Sequence, residues 1–163
     1  MSNLPVSAES RALAPVQEDT QGMFVTMTVA GQVFGVPVLE VQDVLGPQRI
    51  AHVPLAPPEV LGSLNLRGRI VTAVDVRTRL GLSSCDVKKS MAVVVDHDGE
   101  LYSLVVDKVG EVMSLPIADF ERNPSTLDPR WADVSDGIYR LDGNLLVVLD
   151  VSRLLRLEQS RAA

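Results

Sequence analysis

Gly68-Arg69-Ile70-Val71-Thr72-Ala73-Val74-Asp75-Val76 recurs 75 residues later as Gly143-Asn144-Leu145-Leu146-Val147-Val148-Leu149-Asp150-Val151. In both copies a glycine opens the run, aliphatic strand formers fill it, and Asp-Val closes it; Leu80 meets Leu155 at the same offset. A second echo lies upstream, where Val25, Gly31, Phe34, Val41 and Val44 match Val93, Gly99, Tyr102, Val109 and Val112 at an offset of 68. Both echoes keep chain order. The chain therefore reads as two copies of one β unit: strand, glycine turn, strand, short bend, and a last strand ending in Asp-Val. Chance similarity among valine-rich strands is the competing reading. Short strands with tight turns suit a small closed barrel, which leaves no edge unpaired. The expected fold is all-β: two small β barrels packed together, with short helices.

Working outward, Met23 to Ala30 alternates as a half-buried strand, Gly31-Gln32 turns it, and Val33 to Val36 returns. Pro37 ends that strand. Val38 to Leu45, with Val38, Val41 and Leu45 on one face, reads as a short helix or turn, stopped by Gly46-Pro47. Ile50 to Val53 is a short strand before Pro54, Pro57 and Pro58, which cannot donate to a ladder. Gly62 to Arg67 is polar and turn-like. Met91 to Val95, Leu101 to Val106 and Glu111 to Leu115 continue the sheet around the hairpin signal Asp96-His97-Asp98-Gly99. Pro116 to Asp136 is irregular. Gly137 to Leu141 and Leu145 to Leu149 form a hairpin about Asp142-Gly143. Asp75 and Asp150 can each cap the helical turn that follows its strand, and Asp150 opens a C-terminal helix from Val151 to Gln159. Residues 1–21 read as a loose tail. Residues 22–158 read as one domain in two halves, about 22–84 and 85–158, with terminal segments able to cross between them.

Composition narrows the function. A chain of 163 residues can bury a core without a disulfide or a metal. The formal net charge of −6 argues against nucleic acid, whose phosphates want a basic surface, and against a polybasic membrane anchor. No apolar run approaches the roughly 18 residues that span a bilayer, and no secretory signal is visible, so the expectation is a cytoplasmic protein. Cys85 is the sole cysteine, so no intramolecular disulfide exists.

Catalytic constellations are missing from the sequence. His52 sits in an apolar segment and His97 in a turn. Asp96-His97-Asp98 is too tight to converge on an ion, so neither a metal nor a cofactor is expected. There is no G-x-S-x-G elbow and no phosphate-binding glycine loop. Asp75 and Asp150 are related by the repeat and so read as structural residues rather than a catalytic carboxylate pair. The expectation is a non-enzymatic protein that works by binding other proteins.

Arg67 stands apart. It lies in Gly62-Ser63-Leu64-Asn65-Leu66-Arg67-Gly68, where Gly62 and Gly68 bracket a segment presenting one guanidinium, a good interface anchor. It reads equally as a solvated cation or one paired to Asp43. Asn65-Leu66-Arg67-Gly68-Arg69-Ile70-Val71 followed by Val74-Asp75-Val76-Arg77 resembles the hallmark of the CheW-like family of bacterial chemotaxis coupling proteins. Phe34-Gly35-Val36 with Val41-Gln42-Asp43-Val44, Val105 to Val112, and Gly137 to Leu155 are similar to further family segments. The likeness covers about Met23 to Leu157. It implies two packed SH3-like barrels and an adaptor that joins the cytoplasmic tip of chemoreceptors to the regulatory domain of a chemotaxis histidine kinase, in receptor arrays at the inner membrane face. A coupler for a related receptor-kinase array, or an SH3-like peptide-binding module, are the other readings; the scarcity of aromatics speaks against the last. The family usually has Glu where Asp43 stands. Candidate binding residues are Arg67, Asn65 and Asp43, with Val36, Val38, Leu39 and Val44 as apolar contributors that could equally be core.

Overall fold

The computed structural model describes residues 21–156; the tail expected over residues 1–21 falls almost wholly outside them. Ten strands form in chain order: β1 Gln21–Val29, β2 Gln32–Pro37, β3 Val41–Leu45, β4 Val60–Leu66, β5 Arg69–Asp75, β6 Met91–His97, β7 Glu100–Val106, β8 Lys108–Pro116, β9 Ser135–Leu141 and β10 Asn144–Leu149. Three short α-helices accompany them: α1 Val76–Arg79, α2 Pro129–Asp133 and α3 Val151–Leu154. Single 3-10 turns occur at Val38–Glu40, Val87–Lys89 and Ile117–Asp119.

The strands make two five-stranded sheets. The first has the order β8-β1-β2-β10-β9 and the second β3-β6-β7-β5-β4. With β1 to β5 as one repeat unit and β6 to β10 as the other, both sheets show the same order of third, first, second, fifth and fourth strand. Each sheet takes its first two strands from one unit and its last three from the other. The one parallel contact in each sheet is also equivalent: β2 with β10, and β7 with β5. All other pairs are antiparallel.

The expectation of closed barrels is overturned. Both sheets are mixed, and neither ladder closes between its outer strands. On each open side a single bridge forms instead, Ala51 to Ser63 in the second sheet and Glu121 to Ile138 in the first. The physical reason lies in the chain that leaves the outer strands. Past β3 it meets Pro47, Pro54, Pro57 and Pro58, and β8 ends on Pro116 with Pro124 beyond it. A proline has no N–H to donate, so pairing cannot propagate there. The expected strand at Ile50 to Val53 shrinks to the Ala51 bridge for the same reason.

Two further segments differ from expectation. Val38 to Leu45 is helical only at Val38–Glu40; Val41 and Val44 are β-branched and pair onto β6 as β3. Gly62 to Leu66 is no turn but most of β4, in which Leu64 points inward at 7% exposure while Asn65 faces out, and only Arg67 of the expected segment turns. The final helix spans Val151–Leu154, and Leu157 to Gln159 lie outside the described residues.

Three apolar clusters hold the sheets. The largest joins them and takes Val25, Met27, Phe34, Val36 and Val147 from the first sheet, with Val74, Val93, Val95, Leu104 and Val106 from the second. The opposite faces have cores of their own: Val71, Ala73, Ala92, Val94 and Val105 in the second sheet, and Phe24, Tyr139, Leu146 and Val148 in the first. Along β6, Val93 and Val95 enter the shared core while Ala92 and Val94 enter the other. A strand buried on both faces must be continuously apolar, which explains the valine runs.

Gly62 and Gly137, 75 residues apart, serve the bridges. Their φ angles are 149° and 156°, a region costly for side chains. A Cβ on Gly62 would strike the carbonyl of Ala51, and one on Gly137 would strike the Phe120 ring and the Glu121 carbonyl. Gly68, at φ 86°, faces open space. Gly62→Ala and Gly137→Ala should therefore each cost about 2–4 kcal/mol from backbone strain plus collision, and Gly68→Ala only about 1 kcal/mol, in urea unfolding.

Polar joints also cross between the sheets: Arg79 Nε and Nη2 donate to the Leu154 and Arg153 carbonyls at 2.8 and 2.9 Å, and a second joint centres on Asp107. Arg77 Nε and Nη2 donate to Asp107 Oδ1 and Oδ2 at 2.7 and 2.8 Å, and the Ala30 amide donates to Oδ2 at 2.9 Å. The hydrogen bonds from Arg77 hold the Asp107 carboxyl below the ordinary carboxylate range, against partial burial. Because the folded-state value lies below the unfolded value of about 3.9, this stabilisation is complete above the unfolded value and lost as pH falls through the folded one. Asp107→Asn should lower stability at neutral pH and narrow its gap to wild type in acid, as read by denaturant unfolding at a series of pH values.

Candidate protein-interaction site

The hairpin between β4 and β5 turns on two residues. Leu66 pairs with Arg69, and Arg67 and Gly68 take φ angles of 53° and 86°. Two left-handed residues match the right-handed twist of the strands, which makes a tight and fixed turn. Asn65 braces it, its Oδ1 accepting from the Gly68 amide at 2.9 Å. Arg67 thus stands at a hairpin tip with its side chain 77% exposed. Gly62 does not bracket this turn; it lies inside β4, beside Ala51.

Across the open side of the second sheet stands Asp43, on β3. A bulge between Val41 and Asp43 shifts the register against β6. Asp43 Oδ1 accepts from the Val44 amide at 2.8 Å. Its Oδ2 is shielded from solvent and lies 2.9 Å from Arg67 Nη2, at ion-pair distance but without hydrogen-bond alignment. Arg67 and Asp43 therefore join the two outer strands where the ladder does not. With the arginine so exposed, such a pair stabilises by only about 0–1 kcal/mol.

The apolar candidates separate. Leu39, on the Val38–Glu40 turn, is 95% exposed, and Val44 is 40% exposed beside Asp43. Val38 is half-buried against the shared core. Val36 is at 0% exposure inside that core and presents nothing to a partner. One surface residue escaped the sequence reading: Ile70, 68% exposed and paired with Asn65 across the hairpin. The run from Ile70 to Val74 reads as uniformly buried, but strand alternation sends Val71 and Ala73 inward and Ile70 out. Its period was the available signal.

Asp75 is completely buried. It accepts from the Arg77 amide at 3.0 Å, the Thr78 hydroxyl at 2.9 Å and the Cys85 amide at 3.0 Å. Asp150 is half-buried and accepts from the Arg153 amide and Nε at 3.2 and 3.1 Å. Burial pushes the Asp150 carboxyl up, but the Arg153 hydrogen bonds outweigh it and hold it below the ordinary range. The Cys85 thiol is pushed up to about 11 by burial and by Asp75, which leaves it a poor nucleophile. His97 lies 3.4 Å from Asp98, and no cluster of metal-ligating side chains occurs among the described residues.

Residues 23–159 match the CheW-like domain. The chain belongs to the CheW-like family. The chemotaxis protein CheW of Thermotoga maritima is 30% identical over 125 residues, covering 76% of this chain and 81% of that protein. Protein PilI of Pseudomonas aeruginosa is 28% identical, covering 73% and 67%. The crystal structure of the scaffolding protein TtCheW from Thermoanaerobacter tengcongensis superposes with a TM-score of 0.74 at 25% identity, covering 83% of this chain and 92% of that one. As a CheW-like protein the chain is a non-enzymatic adaptor that links chemoreceptors and histidine-kinase signalling.

The two repeat-related aspartates separate in energy. Asp75→Ala strands three partly buried donors around a fully buried position and should cost about 2–4 kcal/mol in chemical denaturation. Asp150→Ala removes a half-buried cap and should cost about 0.5–2 kcal/mol.

Proposed function

We propose that this CheW-like protein bridges the cytoplasmic tip of a chemoreceptor and the regulatory domain of a histidine kinase, in arrays at the inner face of the membrane, with the Arg67 corner as one contact. The observation that carries this reading is Arg67 itself. A largely exposed guanidinium is held on a two-residue turn, with the turn braced by Asn65. A fixed arginine loses little freedom on binding and can make several directed hydrogen bonds to carboxylates or carbonyls. Exposed Ile70 and Val44 add apolar surface near it, and Asp43 orients the guanidinium without neutralising its outward donors. Such a mix of apolar anchor and charged register is what specific interfaces use.

A related receptor-kinase array with another output is the second reading. The likeness to Protein PilI favours it, and the same surface would serve both.

Arg67→Ala should weaken binding by roughly 2–4 kcal/mol, about 30- to 1000-fold, in calorimetry against a receptor-tip fragment and a kinase regulatory domain. Arg67→Lys keeps the charge without the fork and should recover only part of this. Arg67→Glu should be weaker than Arg67→Ala. Thermal unfolding of the same variants should move little, given the modest worth of the Asp43 pair. A folded Arg67→Glu protein with wild-type affinity for both partners would remove Arg67 from the interface.

A further inference from the structure

The two repeat units differ sharply at one matched place. Where the β8–β9 connection passes over the first sheet it forms α2, and Leu127, Trp131 and Val134 pack into the shared core. Trp131 sets its ring edge-on to Phe34 at 5.2 Å between centroids, and the Arg130 guanidinium stacks on Trp131 at 5.8 Å. Phe34, Leu80 and Val147 of the same cluster are buried.

The β3–β4 connection is the equivalent segment of the other unit. The carbonyls of Glu59 and Val134 accept from the amides of Asp75 and Asp150 at 2.7 and 2.8 Å, and Ser63 and Ile138 make the matching bridges. Pro54 meets Pro129 at the same offset of 75. In this register His52, Ala56 and Glu59 stand where Leu127, Trp131 and Val134 stand in the first sheet. An imidazole, a methyl group and a carboxylate thus replace the apolar cover. Tyr102, Leu155 and Thr72, the counterparts of Phe34, Leu80 and Val147, are all half-exposed. With Pro57 and Val60 they line a groove of about 720 Å³. It lies at the start of β4, whereas the Arg67 turn follows its end.

The rim of the groove is charged. Asp98, with its side chain 89% exposed, and Glu100 stand on it, and His97 and Arg156 line it too. Asp98 lies 3.4 Å from His97, and Glu100 accepts from the Tyr102 hydroxyl at 3.3 Å; each carboxylate keeps further acceptor positions. Glu59, next to Val60 in the chain, has its Oε1 shielded from solvent and without a hydrogen-bond partner among the described residues. A shielded acceptor of this kind is costly until a donor reaches it.

We propose that this groove docks a segment of a partner protein that presents an aromatic side chain beside a basic one, in the place that Trp131 and Arg130 hold on the first sheet. The ring covers Tyr102 and Leu155, and the cation meets Asp98 and Glu100. A groove of this size admits the flanking residues as well. The surface is separate from the Arg67 corner and stands whether or not Arg67 contacts a partner.

The test is an amide chemical-shift titration of the full chain with N-acetyl-Arg-Trp-amide. Saturable shifts are expected at Val60, Thr72, Tyr102 and Leu155, with a Kd in the low millimolar range for so small a ligand. N-acetyl-Glu-Trp-amide and N-acetyl-Arg-Ala-amide should each bind at least about fivefold more weakly. Ala56→Trp rebuilds the cover within the chain. On a Trp131→Phe background its emission should be blue-shifted, and the Arg-Trp ligand should bind at least about tenfold more weakly. Asp98→Lys changes an exposed side chain and carries the test if Ala56→Trp fails to fold; it should weaken the Arg-Trp ligand and strengthen the Glu-Trp one. Wild-type protein without saturable shifts at these amides, equal affinity for the three ligands, or undiminished binding in folded Ala56→Trp would overturn the proposal. Groove shifts that follow protein concentration without ligand, or that appear on deleting residues 157–163, would assign the groove to a second copy or to the chain's own end and overturn it as well.

Discussion

The constraint on which the molecule rests is that both sheets must bury both faces. One face of each enters the shared core with the other sheet, and the opposite face curls over a smaller core of its own. A flat sheet would leave that second face wet. Each sheet therefore bends until its outer strands approach, and the approach brings Asp43 near Arg67 and Ala51 near Ser63. The Arg67–Asp43 corner is in this sense a by-product of packing. Its charged pair sits where the ladder fails to close. Glycines at 62 and 137 are the complementary requirement, since any side chain at those places would push the approaching segment away.

Much of this was legible in the sequence, and what was not has a physical reason. The offsets of 68 and 75 identify equivalent strands, because a repeat preserves turn glycines and inward positions. They do not identify partners. By the repeat pattern β5 could pair with β7 of the other unit or with β2 of its own, and the choice of β7 is made by tertiary packing. Hence the strand order and the open sheets were not readable. The strand β4 was masked by Ser63 and Asn65, although Leu64 is buried and Leu61 and Leu66 pack against the same core. Of the candidate contact residues, Val36 and Leu39 look alike as letters three apart. One lies mid-strand in the shared core and the other on an unsupported turn, a distinction set by where Pro37 ends the strand. The flanking glycines suggested a loop held at both ends, but Gly62 lies inside β4; the turn that carries Arg67 is set by the hairpin register and the Asn65 brace.

Pseudo-symmetry also separates the two sheets by chemistry. Where the second sheet carries Arg67 at its hairpin tip and Asp43 on its outer strand, the first carries Asp142 and Glu111. One corner presents a cation with its counter-charge, and the other presents two acids. An adaptor built from duplicated halves needs its two ends to recognise different things, and this exchange of charge at matched positions gives it two unlike surfaces on one architecture.

The insertion of the second sheet into the first carries a consequence for how the chain is made. Strands β3 to β7 are consecutive, so that sheet can assemble from neighbours as soon as it leaves the ribosome. The first sheet must wait: β1 and β2 emerge early, but their partners β8 and β10 come last, and Gln32 meets Leu145 across 113 residues. Loop closure over such a span is entropically expensive and slow. During synthesis the β1–β2 hairpin, with its apolar Val25, Met27 and Phe34, is therefore left for a time without its sheet partners and open to aggregation, while the inserted sheet serves as the template on which it is finally completed.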